Sequence, residues 1–276
     1  MGRERNGNDR KIACRPIGIY SILAVPRQTM TAMPPSDASR PLLHEGPDRP
    51  WEACVVPFVV FLAAGLLEPS RSGDGLAGTL GIPFTAYPFI YSLRVAATLL
   101  ALARSWTPLR GWMRQPTWWP PLMGLALVVP WIVLASLQRE AGWTSALGGR
   151  AAYSPLADGG GGFWGGVFLA IRAVGLIAVV PIVEELFLRG FLMRYVINED
   201  FWTVPFGMLT FPAVGACMLY AAATHPSECV AAVGWFAVVT GIAAATRRPI
   251  DAILAHAGTN LALGAYVLLT ANWWLL

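Results

Sequence analysis

The chain has 276 residues, 55% of them hydrophobic and 13% charged, with a mean hydropathy of +0.53 and a net charge of +4. A soluble globular domain carries about 25% charged residues, so this composition excludes that class and points to a polytopic membrane protein in a lipid bilayer. The basic residues are almost all Arg and are scattered through terminal and loop segments, which excludes a phosphate-binding stripe and a nucleic-acid partner.

Residues 1–50 hold Arg3, Arg5, Arg10, Lys11, Arg15, Arg27, Arg40 and Arg49 among Pro, Ser and Asp, and read as a disordered basic cytoplasmic tail. The short apolar run 17–25 follows Arg15-Pro16 without a small-residue cleavage site, so it is not read as a signal peptide. Met30 and Met33 offer alternative starts further along. Residues 51–276 then read as the membrane domain. Hydropathy places spans at 51–67, 84–103, 118–137, 163–180 running on into a diacidic segment, 205–224, 228–246 and 250–269. The expected fold is therefore all-α, a polytopic membrane helical bundle with about 7–8 transmembrane helices, the eighth arising if the long fourth segment breaks. The glycine patch 159–166, interrupted by Phe163-Trp164, reads as a flexible lead into the fourth span. It lacks the Lys and Ser/Thr of a nucleotide-binding loop.

Eight basic residues precede the first span, Arg104, Arg110 and Arg114 follow the second, Arg189 and Arg194 close the fourth, and Arg247-Arg248 follow the sixth. All fall on one side if each span crosses once, which predicts a multi-pass protein of the cell (plasma or inner) membrane with its N-terminus in the cytoplasm. Cys14, Cys54, Cys217 and Cys229 show no Cys-x-x-Cys pair and read as ordinary apolar residues. Arg94 and Arg172 fall near the middles of their spans, and each requires a partner or a wet cavity. Either one meets a substrate carboxylate or Glu184/Glu185, or the charges are structural.

The chemistry concentrates in the C-terminal half. Glu184 and Glu185 stand in Val-Pro-Ile-Val-Glu-Glu-Leu-Phe-Leu-Arg-Gly-Phe-Leu, and carboxylates at hydrocarbon depth mark a functional site by default. Helical spacing lets Glu185 pair with Arg189, four residues on, while Glu184 points about 100° away. Of three His in the chain, His225 and His256 lie at or inside apolar segments, and His256 shares a helix face with Asn260. Ala255, Ala257 and Gly258 around them permit close helix approach. Glu184 is placed to take a proton from water with His225 holding that water, and His256 and Asn260 are placed to stabilise the oxyanion of peptide hydrolysis. The same groups, Glu184, His225 and His256, are alternatively three ligands for Zn with water in the fourth position, although no His-Glu-x-x-His is present.

Glu184-Glu185-x-x-x-Arg189, then His225, then His256-x-x-x-Asn260 resembles the CPBP family, which contains the type II CAAX prenyl endopeptidases and their bacterial relatives. The resemblance rests on three motifs between Glu184 and Asn260 and assigns 163–276 as a CPBP-like catalytic core. It implies an intramembrane endopeptidase, glutamate-dependent or metal-assisted, with the first Glu as base, the second Glu and Arg shaping the site, and His and His/Asn completing it. Tyr87-Pro88 and Arg94 resemble the exosortase-associated bacterial branch. The family's Phe four residues before the middle His is replaced by Ala221, with Tyr220 one place earlier. The implied partner is a membrane-associated protein or peptide, and the Ala-, Gly- and Arg-rich composition favours an unprenylated one. A non-catalytic scaffold or immunity-type protein, whose polar groups saturate one another, and a proton-coupled transporter are the rival readings.

For the site to assemble, His225 must not emerge on the far side of the bilayer from Glu184. A helix starting near Pro212 and ending at His225 would be about 20 Å long and reach only mid-depth.

Overall fold

The computed structural model describes Met1 and residues 50–143, 153–158 and 162–275. The tail read over 1–50 lies outside these but for Met1 and Pro50, as do glycines 159–161. Seven helical segments carry the bundle: α1 (Pro50–Gly65), α2 (Tyr87–Arg104), α3 (Trp119–Glu140), α4 (Gly162–Ile197), α5 (Phe211–Thr224), α6 (Cys229–Thr246) and α7 (Pro249–Thr270). Among the described residues there is no strand. Five helical stretches are long and apolar enough to cross a membrane, and α1 and α5 are shorter apolar helices. The fold is a polytopic membrane helical bundle.

Proline sets several of the starts. Pro88, Pro120, Pro212 and Pro249 occupy the first turn of α2, α3, α5 and α7, where a missing N–H costs nothing and the fixed φ suits the helix. Thr210 caps α5 by accepting from the amide of Ala213. The span expected over 205–224 thus shrinks to 14 residues, about 21 Å, short of the ~30 Å hydrocarbon core.

The fourth segment does not break. It runs as one helix of 36 residues interrupted by two π-helical stretches, Gly175–Val179 and Leu186–Leu192, so the eighth crossing does not arise. Gly162–Gly166 form its first turn rather than a flexible lead, because the chain is already hydrogen-bonded as helix there. Its basic residues also depart from expectation. Arg189 and Arg194 are 3% and 2% exposed, so they are interior groups and not loop charges. Arg194 donates to the carbonyls of Val204, Gly190 and Trp202 instead of meeting either Glu. Arg104, Arg110, Arg114, Arg247 and Arg248 remain exposed at helix ends.

α3 and α7 pack backbone against backbone. A Cβ on Gly124 would fall 1.9 Å from the carbonyl oxygen of Ala255, and one on Gly258 would fall 2.7 Å from that of Pro121. Only glycine permits this approach, which is the small-residue logic of helix contacts in lipid. Thr259 locks the crossing by donating to the Gly124 carbonyl at 2.7 Å, and Trp235 of α6 donates its indole N–H to Thr259. At the end of the same pair, the buried Asp251 carboxylate accepts from the amide and the hydroxyl of Thr117. His256 and Asn260 are held by this rigid seam.

Candidate active site

Glu184 and Glu185 end a short α-helical turn, Val180–Glu185, between the two π stretches of α4. A π turn inserts one residue into the helical repeat, and such bulges recur at functional sites because they re-aim side chains and leave carbonyls unspent. Glu185 is 2% exposed and forms the expected ion pair with Arg189. Arg189 also donates to the Phe236 carbonyl at 3.0 Å and the Thr240 hydroxyl at 3.1 Å, which ties α4 to α6. The second oxygen of Glu185 lies 3.1 Å from Nδ1 of His256 on α7. Glu185 therefore joins a cation on its own helix to an imidazole on another.

That bond fixes the imidazole. Against an ionised Glu185, Nδ1 is the donor, which leaves Nε2 as the ring nitrogen directed at the cavity. Nε2 faces Glu184, whose Oε2 is 4.0 Å away. The ring stands edge-on to Trp235, centroids 4.5 Å apart. His256 thus lies between two carboxylates, buried against one and opening toward the other.

Glu184, His225, His256 and Asn260 all line a single cavity of about 670 Å³, within the ~300–1,000 Å³ usual for ligand sites. Glu185 and Arg189 do not line it and stand behind His256. His225 ends α5, with Nδ1 2.9 Å from the Thr224 hydroxyl and its ring edge-on to Trp131 at 5.6 Å. The short α5 is what brings His225 to the cavity shared with Glu184. Asn260 donates from Nδ2 to the Leu176 carbonyl, 2.8 Å away in the first π stretch, so part of its donor capacity is spent on the helix.

Two lining residues were not singled out for chemistry from the sequence. The Tyr220 hydroxyl and the Trp131 indole N–H are buried and make no hydrogen bond among the described residues. Both are donors in need of an acceptor, and the cavity is where one can be supplied. The Tyr220 ring is fixed between Phe58, Phe187 and Phe236 at centroid distances of 5.7–6.0 Å. Their signal in the sequence is weak, since any aromatic in an apolar helix reads first as packing.

The proposed Zn set was tested against this geometry. Among the described residues no group of three or more His, Cys, Asp or Glu side chains is gathered to hold a metal ion. Nδ1 of His256 is engaged by Glu185 and Nδ1 of His225 by the Thr224 hydroxyl, which leaves Nε2 of each ring. Without three such side chains gathered among the described residues, the set does not fit a metal as it stands. Cys54, Cys217 and Cys229 form no disulfide.

The segment that carries these motifs has a family match. Residues 166–262 match the family model Type II CAAX prenyl endopeptidase Rce1-like. The match covers about a third of the chain and contains Glu184, Glu185, Arg189, His225, His256 and Asn260. No curated protein and no solved structure matches the chain.

Proposed function

We propose that the protein is an intramembrane endopeptidase that hydrolyses a peptide bond of a membrane-associated protein or peptide, using water activated by Glu184. The observation that carries this reading is one cavity in which the Glu184 carboxylate faces Nε2 of His256 beside two buried donors without acceptors. The Rce1-like match over the same residues supports it, because that family is described as one of prenyl endopeptidases.

Glu184 accepts a proton from water held near His225, and the water oxygen bonds to the scissile carbonyl carbon. Negative charge develops on the carbonyl oxygen, where the Tyr220 hydroxyl, the Trp131 N–H and the remaining N–H of Asn260 are the available donors. The carbon–nitrogen bond breaks as Glu184 returns its proton to the leaving amine. Glu185 and Arg189 act through His256, holding its tautomer and orientation. The exposed Arg104, Arg110, Arg114, Arg247 and Arg248 favour a cytoplasmic N-terminus under the positive-inside rule. A scaffold with mutually saturated polar groups fits less well, since Tyr220 and Trp131 are unsaturated.

The test is cleavage of a panel of membrane-anchored peptides by purified protein in lipid, comparing wild type with Glu184→Gln and His256→Ala, with metal content assayed on the same samples. Loss of cleavage in both variants at unchanged unfolding temperature is expected. Full activity of Glu184→Gln would overturn the assignment, and activity that tracks metal content would replace the metal-free step.

A further inference from the structure

Inside the bundle the arginines have local seats. Arg94 pairs with Glu68 at 2.7 Å, Arg189 pairs with Glu185, and Arg172 donates to the Tyr153 carbonyl at 2.7 Å. At the helix ends the picture reverses. Arg114, shortly before α3, and Arg247 and Arg248, between α6 and α7, are exposed, and among the described residues none of the three is ion-paired. Though scattered along the sequence, they meet in space. Arg248 donates from Nη1 to the Gln115 carbonyl at 2.6 Å, which sets it beside Arg114 across 133 positions of chain. Thr117 completes the stitch, its amide and its hydroxyl each donating to Asp251 at 2.7 Å. Asp251 is 0% exposed and already holds Thr117, so three surface guanidinium groups stand over one buried carboxylate and the corner keeps a net positive charge.

The surface next to this corner suits a lipid. Trp118, which follows Thr117, is 76% exposed at the start of α3, where an indole sits at headgroup level. From it an exposed apolar stripe runs down α3 through Leu122, Leu125, Val129 and Val133, at steps of three or four residues that keep it on one face. A phospholipid of net negative charge matches both halves, with a phosphodiester for the guanidinium forks and an acyl chain for the stripe. A zwitterionic lipid has the same phosphate but carries a cation beside it. We propose that the corner formed by Arg114, Arg247 and Arg248 binds the headgroup of an anionic phospholipid, with an acyl chain along the exposed stripe of α3. The lipid bridges the loops that open α3 and α7, at the end of the seam that holds His256 and Asn260. This site is separate from the cavity and does not depend on the hydrolysis assigned to it.

The experiment titrates the full-length protein in detergent micelles with dioleoylphosphatidylglycerol or dioleoylphosphatidylcholine and counts bound lipid by native mass spectrometry. One arginine near an anionic lipid is worth about fivefold in affinity, so three should favour phosphatidylglycerol by about 10- to 100-fold. Arg114→Gln and Arg248→Gln, one from each loop, should each lower that preference about fivefold, and Arg248→Lys should leave it nearly unchanged. Arg139→Gln, at the far end of α3, removes the same charge and should not alter it. Glycerol 3-phosphate, which has the phosphate without the acyl chains, should not displace the bound lipid. The wild-type comparison needs no substitution, so it stands even if a variant folds poorly. Equal retention of the two lipids, as expected if an acidic protein segment covers the corner, would overturn the proposal. So would an equal loss in Arg139→Gln, which would mean that only total charge is read, or a loss confined to one of the two loops. Displacement by glycerol 3-phosphate would overturn the acyl seat and with it the lipid as the occupant.

Discussion

Replacing Glu185 by Leu removes an acceptor that Arg189 and His256 share while nearly preserving volume. The Glu185 and Arg189 side chains are 1% and 2% exposed, so the screening that reduces surface ion pairs to about 0–1 kcal/mol does not act here. Arg189 would keep the Phe236 carbonyl and the Thr240 hydroxyl, but its charge would lose its counterion, and its Nε already lacks a partner. Breaking one side of a buried pair costs about 3–5 kcal/mol. Arg189→Leu should cost a similar amount by stranding the carboxylate. The double substitution Glu185→Leu/Arg189→Leu leaves no stranded charge and should cost no more than either single one, which makes the coupling at least about 3 kcal/mol. The assay is reversible unfolding in mixed micelles followed by Trp fluorescence for wild type, both singles and the double. Additive losses, or a Glu185→Leu cost below about 1 kcal/mol, would refute the claim that one buried charge pair anchors the site.

Tyr220→Phe removes only the unpartnered hydroxyl, so it should lower kcat by about 10-fold or more without lowering the unfolding temperature; unchanged kcat would exclude Tyr220 as an oxyanion donor. Asn260→Leu strands the Leu176 carbonyl and should destabilise by about 1–3 kcal/mol in the same micelle assay, whereas a surface position would move by less than about 0.5. Gly258→Leu drives a side chain into the Pro121 carbonyl and should separate α3 from α7, read as loss of a cross-link between cysteines placed at the two helices' facing ends. Outside the spans, burial alone would raise the Asp158 carboxyl, but the Ser154 amide, the hydrogen bond from Arg71 and its charge together hold it below its ordinary 3.8. A lowered folded value means that its contribution is full above the unfolded pKa and is lost as pH falls through the folded one. Protection of the Ser154 amide from hydrogen exchange, corrected for intrinsic rate, should therefore persist at about pH 6 and vanish by about pH 2, and pH-independent protection would contradict the pairing.

How much was legible in the sequence depended on whether a feature was local. The Glu185–Arg189 pair follows from helical spacing alone, and the short α5 was foreshadowed by Pro212 and the requirement that His225 reach Glu184. The contact between Glu185 and His256 was not legible, because it depends on how closely α4 and α7 approach across 71 residues of chain. Gly258 hinted at that approach. Gly124, its counterpart on α3, carried no mark that sets it apart from other glycines. Arg189 and Arg194 were counted as topology signals, since a sequence does not distinguish an arginine emerging into water from one bonded to interior carbonyls. Arg94 and Arg172 looked alike until Glu68 proved to satisfy one of them.

The two π stretches give α4 a broken phase. Each adds one residue to the winding, so the face downstream is displaced by about 100° from where an uninterrupted 3.6-residue repeat would put it. No single-period wheel drawn over 162–197 can place both Arg172 and Glu184 on one side, yet both line the same cavity. The helix works as three shorter rods joined at fixed rotational offsets. Deleting one residue between Gly175 and Val179 would remove the extra residue of the π turn and restore regular winding while keeping the two carboxylates turned toward His256, with composition and hydropathy almost untouched.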